Sequence, residues 1–429
     1  MATTIEKARQ ARGASLELAK TSADEKDRAL LALAKVLWDR KGEILEANAR
    51  DCEESKDEIG EALYKRLQLN EEKVEAMVEG VKSVVKLKDP VGETTYAIEL
   101  DIDLELYKIT VPIGVIGAIF ESRPNVVVDV GALCLKSGNA VMMKGGSEAR
   151  HTNRMLYGLM KAATEESGMP EGWIQLVESR EEVTEMLELD EYISLLVPRG
   201  SNEFVKYIKE NTRIPVLGHA SGVCHVYVDG EADMEKALRI AYDAKCQYPA
   251  VCNAMETLLV DERIVGEFLP RIWEEYRKAG VTAKGDEKAC KVLGDIQKAC
   301  DIDWSTEYND LVVNVRTVNG VDEAIENINR YGSAHTDAIV TEDEYTARKF
   351  IDSVDSSSVM WNASTRFSDG YRYGLGAEIG ISTNKIHARG PVGMEGLVIH
   401  KWILKGDGHI VEDYRKKKFT HRKLKKRWE

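Results

Sequence analysis

Residues 111–126, Val-Pro-Ile-Gly-Val-Ile-Gly-Ala-Ile-Phe-Glu-Ser-Arg-Pro-Asn-Val, run apolar and uncharged through Phe120, then break into Glu121-Ser122-Arg123-Pro124-Asn125. An uninterrupted apolar run of this kind reads as a strand buried on both faces, the usual state of a strand in a parallel sheet. The polar cluster then falls at the strand's carboxyl end, which is where ligands bind in open α/β sheets. One segment thus predicts both a fold class and the edge of a site.

Upstream, the first ninety residues read as helices, with apolar residues at helical spacing as in Leu30, Leu31, Leu33, Ala34 and Leu37. Asp89-Pro90-Val91-Gly92 marks a break, and residues 95–110 alternate polar and apolar as an exposed hairpin or edge strands would. Downstream, strands and helices take turns. The pattern predicts a helix at Val126–Lys136, a strand at Ala140–Lys144, a helix at Glu148–Glu166 and a strand at Ile174–Glu178. It continues with a helix at Glu181–Leu189, a strand at Tyr192–Val197, a helix at Asn202–Asn211 and a strand at Ile214–Leu217. This βαβα order implies a parallel, doubly wound sheet. A second α/β unit starts near Val226, and residues 362–396, rich in Gly, Ser, Thr and Asn, read as loops.

The chain has 429 residues, 43% hydrophobic and 31% charged, which suits two or three soluble domains. It has neither an apolar run long enough to span a bilayer nor an apolar leader after Met1, so the expectation is a cytoplasmic enzyme. A net charge of −14 argues against nucleic acid as the main partner. The exception is the tail from Arg415, with nine Lys/Arg against one Glu in residues 415–429. It reads as a solvated end or one lying on an acidic neighbouring subunit, with RNA or membrane binding as the alternative. Seven cysteines without a C-x-x-C, and eight scattered histidines, give no disulfide framework or zinc pattern.

Four places carry candidate chemistry. Cys252 follows Pro249, which breaks a helix, so Cys252 opens a new segment. Near a helix N-terminus its thiolate would be favoured and nucleophilic; a small buried hydrophobe is the alternative. Asn125 stands at a strand end, where its amide suits an oxyanion or merely caps the next helix. Lys144-Gly145-Gly146-Ser147 and Pro198-Arg199-Gly200-Ser201 each join a strand to a helix and offer backbone N–H groups to an anion, or are plain turns. Neither is a P-loop, and no G-x-G-x-x-G occurs.

Taken together, Gly117–Asn125, Lys136–Ala140, Gly222–Asp229, Tyr248–Ala254, Asn362–Phe367 and Gly374–Pro391 resemble the aldehyde dehydrogenase superfamily and, within it, the γ-glutamyl phosphate reductase family. The resemblance implies a doubly wound cofactor domain (1–94 and 111–225), an α/β catalytic domain (226–385) and an oligomerisation arm (95–110 and 386–414); the basic tail (415–429) lies outside the pattern. It implies Cys252 as nucleophile and Asn125 as oxyanion donor. Lys144, Ser147, Arg199, Gly200, Ser201 and Glu307 would bind the cofactor, with Lys144 on the adenosine ribose and Glu307 on the nicotinamide ribose. Arg123 and Arg366 would take the substrate α-carboxylate and Glu378 its ammonium, unless these three are structural ion-pair partners.

Two departures from the superfamily carry meaning. Where hydrolytic members hold a general-base glutamate, this chain has His219-Ala220-Ser221-Gly222. Without a base for water, phosphate rather than water would exchange with the acyl group. Ser147 stands where a ribose-chelating Glu often sits, which favours NADP over NAD; Glu148 next door makes the point sensitive to a one-residue shift. The implied reaction is NADPH-dependent reduction of L-glutamyl 5-phosphate to L-glutamate 5-semialdehyde through a cysteine thioester, in proline synthesis. A homo-oligomer and a glutamate 5-kinase partner go with it. No metal is expected.

Overall fold

The computed structural model describes residues 2–428. The chain divides into two compact units. The first comprises residues 1–216, 376–380 and 392–429, the second residues 217–375 and 381–391. The division thus falls at Val216/Leu217, ahead of the 225/226 boundary expected from sequence.

The first unit opens with five helices, Thr4–Leu18, Ala23–Asp39, Lys41–Ser55, Glu61–Leu67 and Glu71–Lys86. Capping boxes at Thr3/Glu6 and Ser22/Glu25 start the first two, each satisfying orphan N–H groups at the helix entry. A hairpin follows, β1 (Thr94–Asp101) and β2 (Leu104–Pro112). Four parallel strands come next, β3 (Val115–Phe120), β4 (Ala140–Lys144), β5 (Ile174–Leu176) and β6 (Leu195–Arg199), in spatial order β5-β4-β3-β6. Every residue of β3 is buried, as its apolar run requires. One core cluster joins Val115, Ile119, Ala140 and Met142 of the sheet to Ala8, Ala11 and Met186 of flanking helices.

Two expectations need correction here. The 111–120 run is not one strand. Val111 and Pro112 end β2, and β3 starts at Val115 in a different sheet. Gly114 makes the break with φ +126°, a conformation that L side chains rarely adopt. Ile214–Leu217 is not a strand either; only Val216 bridges, to Leu196.

The basic tail runs along its own chain's hairpin with its side chains largely exposed to solvent, as a solvated end would. Val398–Lys405 pairs antiparallel with β2, and Arg422–Lys423 pairs with Ile98 and Glu99 of β1. Its cations meet the hairpin's acids, Lys417 on Asp101 and Lys426 on Glu105 at 3.2 Å, while Trp428 packs edge-on against Tyr107.

The second unit is built on a seven-stranded sheet: β7 (Cys224–Val228), β8 (Met255–Asp261), β9 (Thr282–Gly285), β10 (Gln297–Lys298), β11 (Val312–Val318), β12 (Thr336–Val340) and β13 (Ser358–Trp361). Their order is β10-β9-β11-β8-β7-β12-β13, all parallel. One face (Val226, Leu258, Val313) packs on Phe268 and Leu269; the other (Tyr227, Leu259, Ile339) packs on Ile328 and Phe350. At the carboxyl ends of β7 and β8, Arg263 bonds Asp261 at 3.0 Å, Asp229 at 3.4 Å and Glu231 at 3.1 Å. These two strand ends are thus tied together by their own ion pairs.

Candidate active site

In the first unit, the residues of interest gather at the carboxyl ends of β3, β4 and β6. The chain leaves β3 with β4 on one side and β6 on the other, so β3 is the topological switch point at which open sheets bind ligands. Ser122 turns there with φ +42° and donates from both N and Oγ to Glu148 Oε1, each at 2.6 Å. Asn125 precedes the helix Val126–Lys136 but its side chain makes no capping bond. Its amide instead donates to Asp129 Oδ2 at 2.7 Å, which fixes the amide's orientation and leaves its second N–H for another acceptor.

Beside it, Lys144-Gly145-Gly146-Ser147 leads from β4 into a short 3-10 turn, Ser147–Ala149, before the helix Arg150–Glu166. A cavity of about 280 Å³ is lined by Gly145, Gly146, Ser147, Arg150, Asn153 and Glu178, among others. Burial draws the Lys144 pKa below the usual lysine value, against the pull of Glu148. The Gly200-Ser201 turn already holds an anion: Glu121 Oε2 accepts from Ser201 N at 2.8 Å. Arg199 donates to the carbonyl of Ile379 at 2.5 Å, which ties down the segment carrying Glu378. Arg123 and Glu378 are both half-buried.

In the second unit the candidate residues sit at the opposite, amino ends of the strands. The helix Met234–Cys246 stops before Tyr248-Pro249, as a proline requires. Cys252 does not start a new helix, contrary to expectation. It occupies the turn Val251–Ala254, closed by Ala254 N donating to Val251 O at 3.0 Å, and β8 follows at once. The helix-dipole rationale for its reactivity therefore falls away. What surrounds it is different. Cys224 Sγ donates to the Cys252 carbonyl at 3.2 Å, and Gly222 packs flat on the Cys252 backbone.

His219, Cys252 and His335 bring one donor atom each to within 4.8 Å of one another. The two imidazoles meet edge to face at 4.9 Å. The Ile381 carbonyl takes a bond from His219 Nδ1 at 2.9 Å, so Nδ1 carries a proton and in the neutral ring the lone pair falls on Nε2. His335 is fully buried, with Nδ1 at 2.9 Å from Thr336 Oγ1 and no partner at Nε2. Burial, reinforced by His219, holds its pKa well below the usual histidine value, so it stays neutral.

Arg366 is also buried and donates from Nε to Gln247 Oε1 at 3.0 Å. Burial and Arg372 lower its pKa, opposed by Asp243 and Cys252. Glu307 rides on a loop anchored by Asp303. That carboxylate accepts from Lys284 at 2.6 Å, Tyr308 at 2.8 Å and the Cys300 N–H at 2.8 Å. Lys245 and Glu256 form a buried pair at 2.9 Å just before and after the Cys252 turn. Of the non-glycine residues with left-handed backbone, Ser122 adjoins Arg123, Asn309 follows Glu307 by two and Ala334 adjoins His335. Such strain collects where a site dictates geometry.

Sequence reading missed His335 and gave His219 no role. For His219 the signal was present, since it stands where a general base was sought and only a carboxylate was considered. His335 lies in no motif. It reaches Cys252 because β8, β7 and β12 are neighbours, so the residues that precede each strand meet.

An aldehyde dehydrogenase family model matches residues 1–308. A gamma-glutamyl phosphate reductase of Methanosarcina mazei is 54% identical over 100% of this chain and 99% of that protein. One from Pelotomaculum thermopropionicum is 56% identical over 85% of this chain and 84% of its own. The crystal structure of gamma-glutamyl phosphate reductase from Thermotoga maritima superposes with a TM-score of 0.94 at 42% identity, covering 95% of this chain and 100% of that one. An acetylating aldehyde dehydrogenase from Geobacillus thermoglucosidasius, 17% identical with a TM-score of 0.64 over 95% of this chain and 97% of that one, shares the fold.

Proposed function

This chain belongs to the gamma-glutamyl phosphate reductases of the aldehyde dehydrogenase family, and we propose on that premise how its own residues divide the work. The reaction is the NADPH-dependent reduction of L-glutamyl 5-phosphate to L-glutamate 5-semialdehyde and phosphate, a step of proline synthesis.

Cys252 is the nucleophile. Its proton goes to Nε2 of His219, whose other nitrogen is committed to the Ile381 carbonyl. The thiolate attacks the acyl carbon, the C–O bond to phosphate breaks, and a thioester remains on Sγ. Asn125, oriented by Asp129, gives its second amide N–H to the oxyanion. Arg366 takes the substrate α-carboxylate together with Arg123, and Glu378 takes the ammonium. Having taken the Cys252 proton, His219 is an imidazolium without a lone pair to activate water, so the thioester survives until it is reduced. What supports this reading above all is the separation of 4.8 Å or less among the Cys252, His219 and His335 donor atoms.

The residues around the 280 Å³ cavity fit a 2′-phosphorylated dinucleotide. Glu178 there is engaged by Arg154 and Glu148 by Ser122, while Arg150 makes no ion pair among the described residues. Lys144, Ser147 and Arg150 would hold the adenosine end, Arg199, Gly200 and Ser201 would border it, and Glu307 would hold the nicotinamide ribose. NADPH, when bound, supplies the hydride that reduces the thioester.

We also place the first unit as the cofactor domain and the second as the catalytic domain. The hairpin arm assembles a homo-oligomer, an assignment favoured by the exposed Tyr96, Trp402 and Leu404. Free thiols throughout suit a cytoplasmic setting. A labile acyl phosphate suits direct delivery from a glutamate 5-kinase.

The test is Cys252→Ser with freshly generated glutamyl phosphate. Reductase turnover is lost while NADPH still binds; near-normal turnover would remove Cys252 from the mechanism.

A further inference from the structure

Three donors of one chemical character face each other in the second unit: the Cys252 thiol and two imidazoles. Sulfur and imidazole nitrogen without carboxylates is a set that selects zinc over magnesium or calcium. A tetrahedral zinc with Zn–S near 2.3 Å and Zn–N near 2.0 Å needs its donors roughly 3.3–3.6 Å apart. The observed limit of 4.8 Å is about an ångström beyond that. Cys252 lies in a turn rather than a strand and is only half-buried, so its side chain is the donor with room to adjust.

The surroundings are those of ligand histidines. A zinc-bound imidazole gives its other nitrogen to a carbonyl or similar group, which fixes the tautomer. Nδ1 of His219 is on the Ile381 carbonyl, and Nδ1 of His335 is on Thr336 Oγ1. Independently of the cluster, Nε2 of the fully buried His335 has no hydrogen-bond partner. Buried polar atoms are nearly always satisfied, so an orphaned imidazole nitrogen beside a thiol asks for a ligand.

We propose that His219, His335 and Cys252 form a three-ligand Zn²⁺ site that reversibly silences the enzyme. Binding forms one Zn–S and two Zn–N bonds, releases the thiol proton to solvent, and leaves the fourth position to water. The metal site stands on the geometry alone; the silencing rests on Cys252 being the nucleophile. It makes reductase activity depend on free zinc as well as on substrate.

The experiment uses the full-length, metal-free protein. Co²⁺ serves as a spectroscopic probe and Zn²⁺ as competitor. The expected result is one equivalent of Co²⁺ giving a tetrahedral d–d spectrum and a thiolate-to-cobalt charge-transfer band, both removed by Zn²⁺. Zinc blocks alkylation of Cys252 and inhibits turnover with the same midpoint, and chelator restores both. His335→Gln, checked for folding by circular dichroism, weakens zinc at least 10–100-fold, the range that even outer-shell changes reach. His219→Gln does the same. Absence of the charge-transfer band in the wild-type chain overturns the site. So does an unchanged zinc affinity in both folded histidine variants. Because the cobalt spectrum does not depend on turnover, a Cys252→Ser variant that kept its activity would sink the nucleophile assignment while the spectrum still upheld the metal site.

Discussion

Gly222 lies so close to Cys252 that a Cβ built on it would stand 2.2 Å from the Cys252 carbonyl oxygen and 2.5 Å from its Cα. The strand entry of β7 thus sets the height of the backbone of the proposed nucleophile. Gly222→Ala must push the turn away by about an ångström, and displacements of that size cost about 100-fold in rate. Turnover should fall by that factor while the melting temperature drops only modestly. A variant with wild-type kcat would show that the turn has slack.

Asn125 and Asp129 act in series in the proposed mechanism. Asn125→Ala should slow acylation by roughly 10²–10³-fold. Asp129→Ala should lose less, because it only frees the amide to rotate. In the double variant the two losses should not add, since the orienting group has nothing left to orient. Pre-steady-state measurement of phosphate release reads this directly, and full additivity would separate the two residues.

Asp303 anchors the loop that carries Glu307. Burial pushes its carboxyl up, but the Cys300 thiol and N–H, Lys284 and Tyr308 outweigh this and hold its pKa well below the usual aspartate range. A depressed folded-state value stabilises above the unfolded pKa near 4 and is lost as pH falls below it. Asp303→Asn should remove that part of the acid sensitivity in denaturant melts between about pH 4 and 2. It should also raise KM for NADPH more than it lowers kcat. An unchanged KM would uncouple the loop from the cofactor.

Glu256 behaves in the opposite sense. Burial lifts its carboxyl to about 7 in spite of Lys245 beside it. The folded state therefore holds the proton more tightly than the unfolded chain, in which a glutamate titrates near 4.3. This stabilisation is full at low pH and lost as pH rises through about 7, amounting to about 4 kcal/mol at completion. Melts of wild type and Glu256→Gln between pH 4.5 and 8 should diverge in slope, with the variant flatter. Parallel profiles would count against the raised value.

Much of the first unit was legible from residue pattern because its signals are local. The apolar run at 115–120, the helix Val126–Lys136 and the polar break between them stand in one contiguous stretch. The split at Gly114 was hidden because Val111 and Pro112 are as apolar as the strand they precede, and only backbone conformation tells them apart. The second unit hid its site for another reason. Cys252 and His335 are brought together by strand order, a long-range property that no window along the chain contains. The expected helix at Cys252 failed because Pro249 ends one helix without starting another; the chain spends the next residues entering β8. The tail escaped because its charge was visible but its acidic partners, Asp101 and Glu105, lie more than three hundred positions earlier.

The ion pairs of Arg263 at the carboxyl ends of β7 and β8 lie on the side of the second unit's sheet opposite the proposed Cys252 site. A parallel sheet offers a crevice at those ends whether or not the chain uses it, and here a guanidinium has locked the door. The turns that follow β7 and β8 there hold none of the residues proposed for the site. They form the margin along which this architecture has room to accept insertions, new loops or a grafted recognition segment while its reactive edge, on the far side of the same strands, stays as it is.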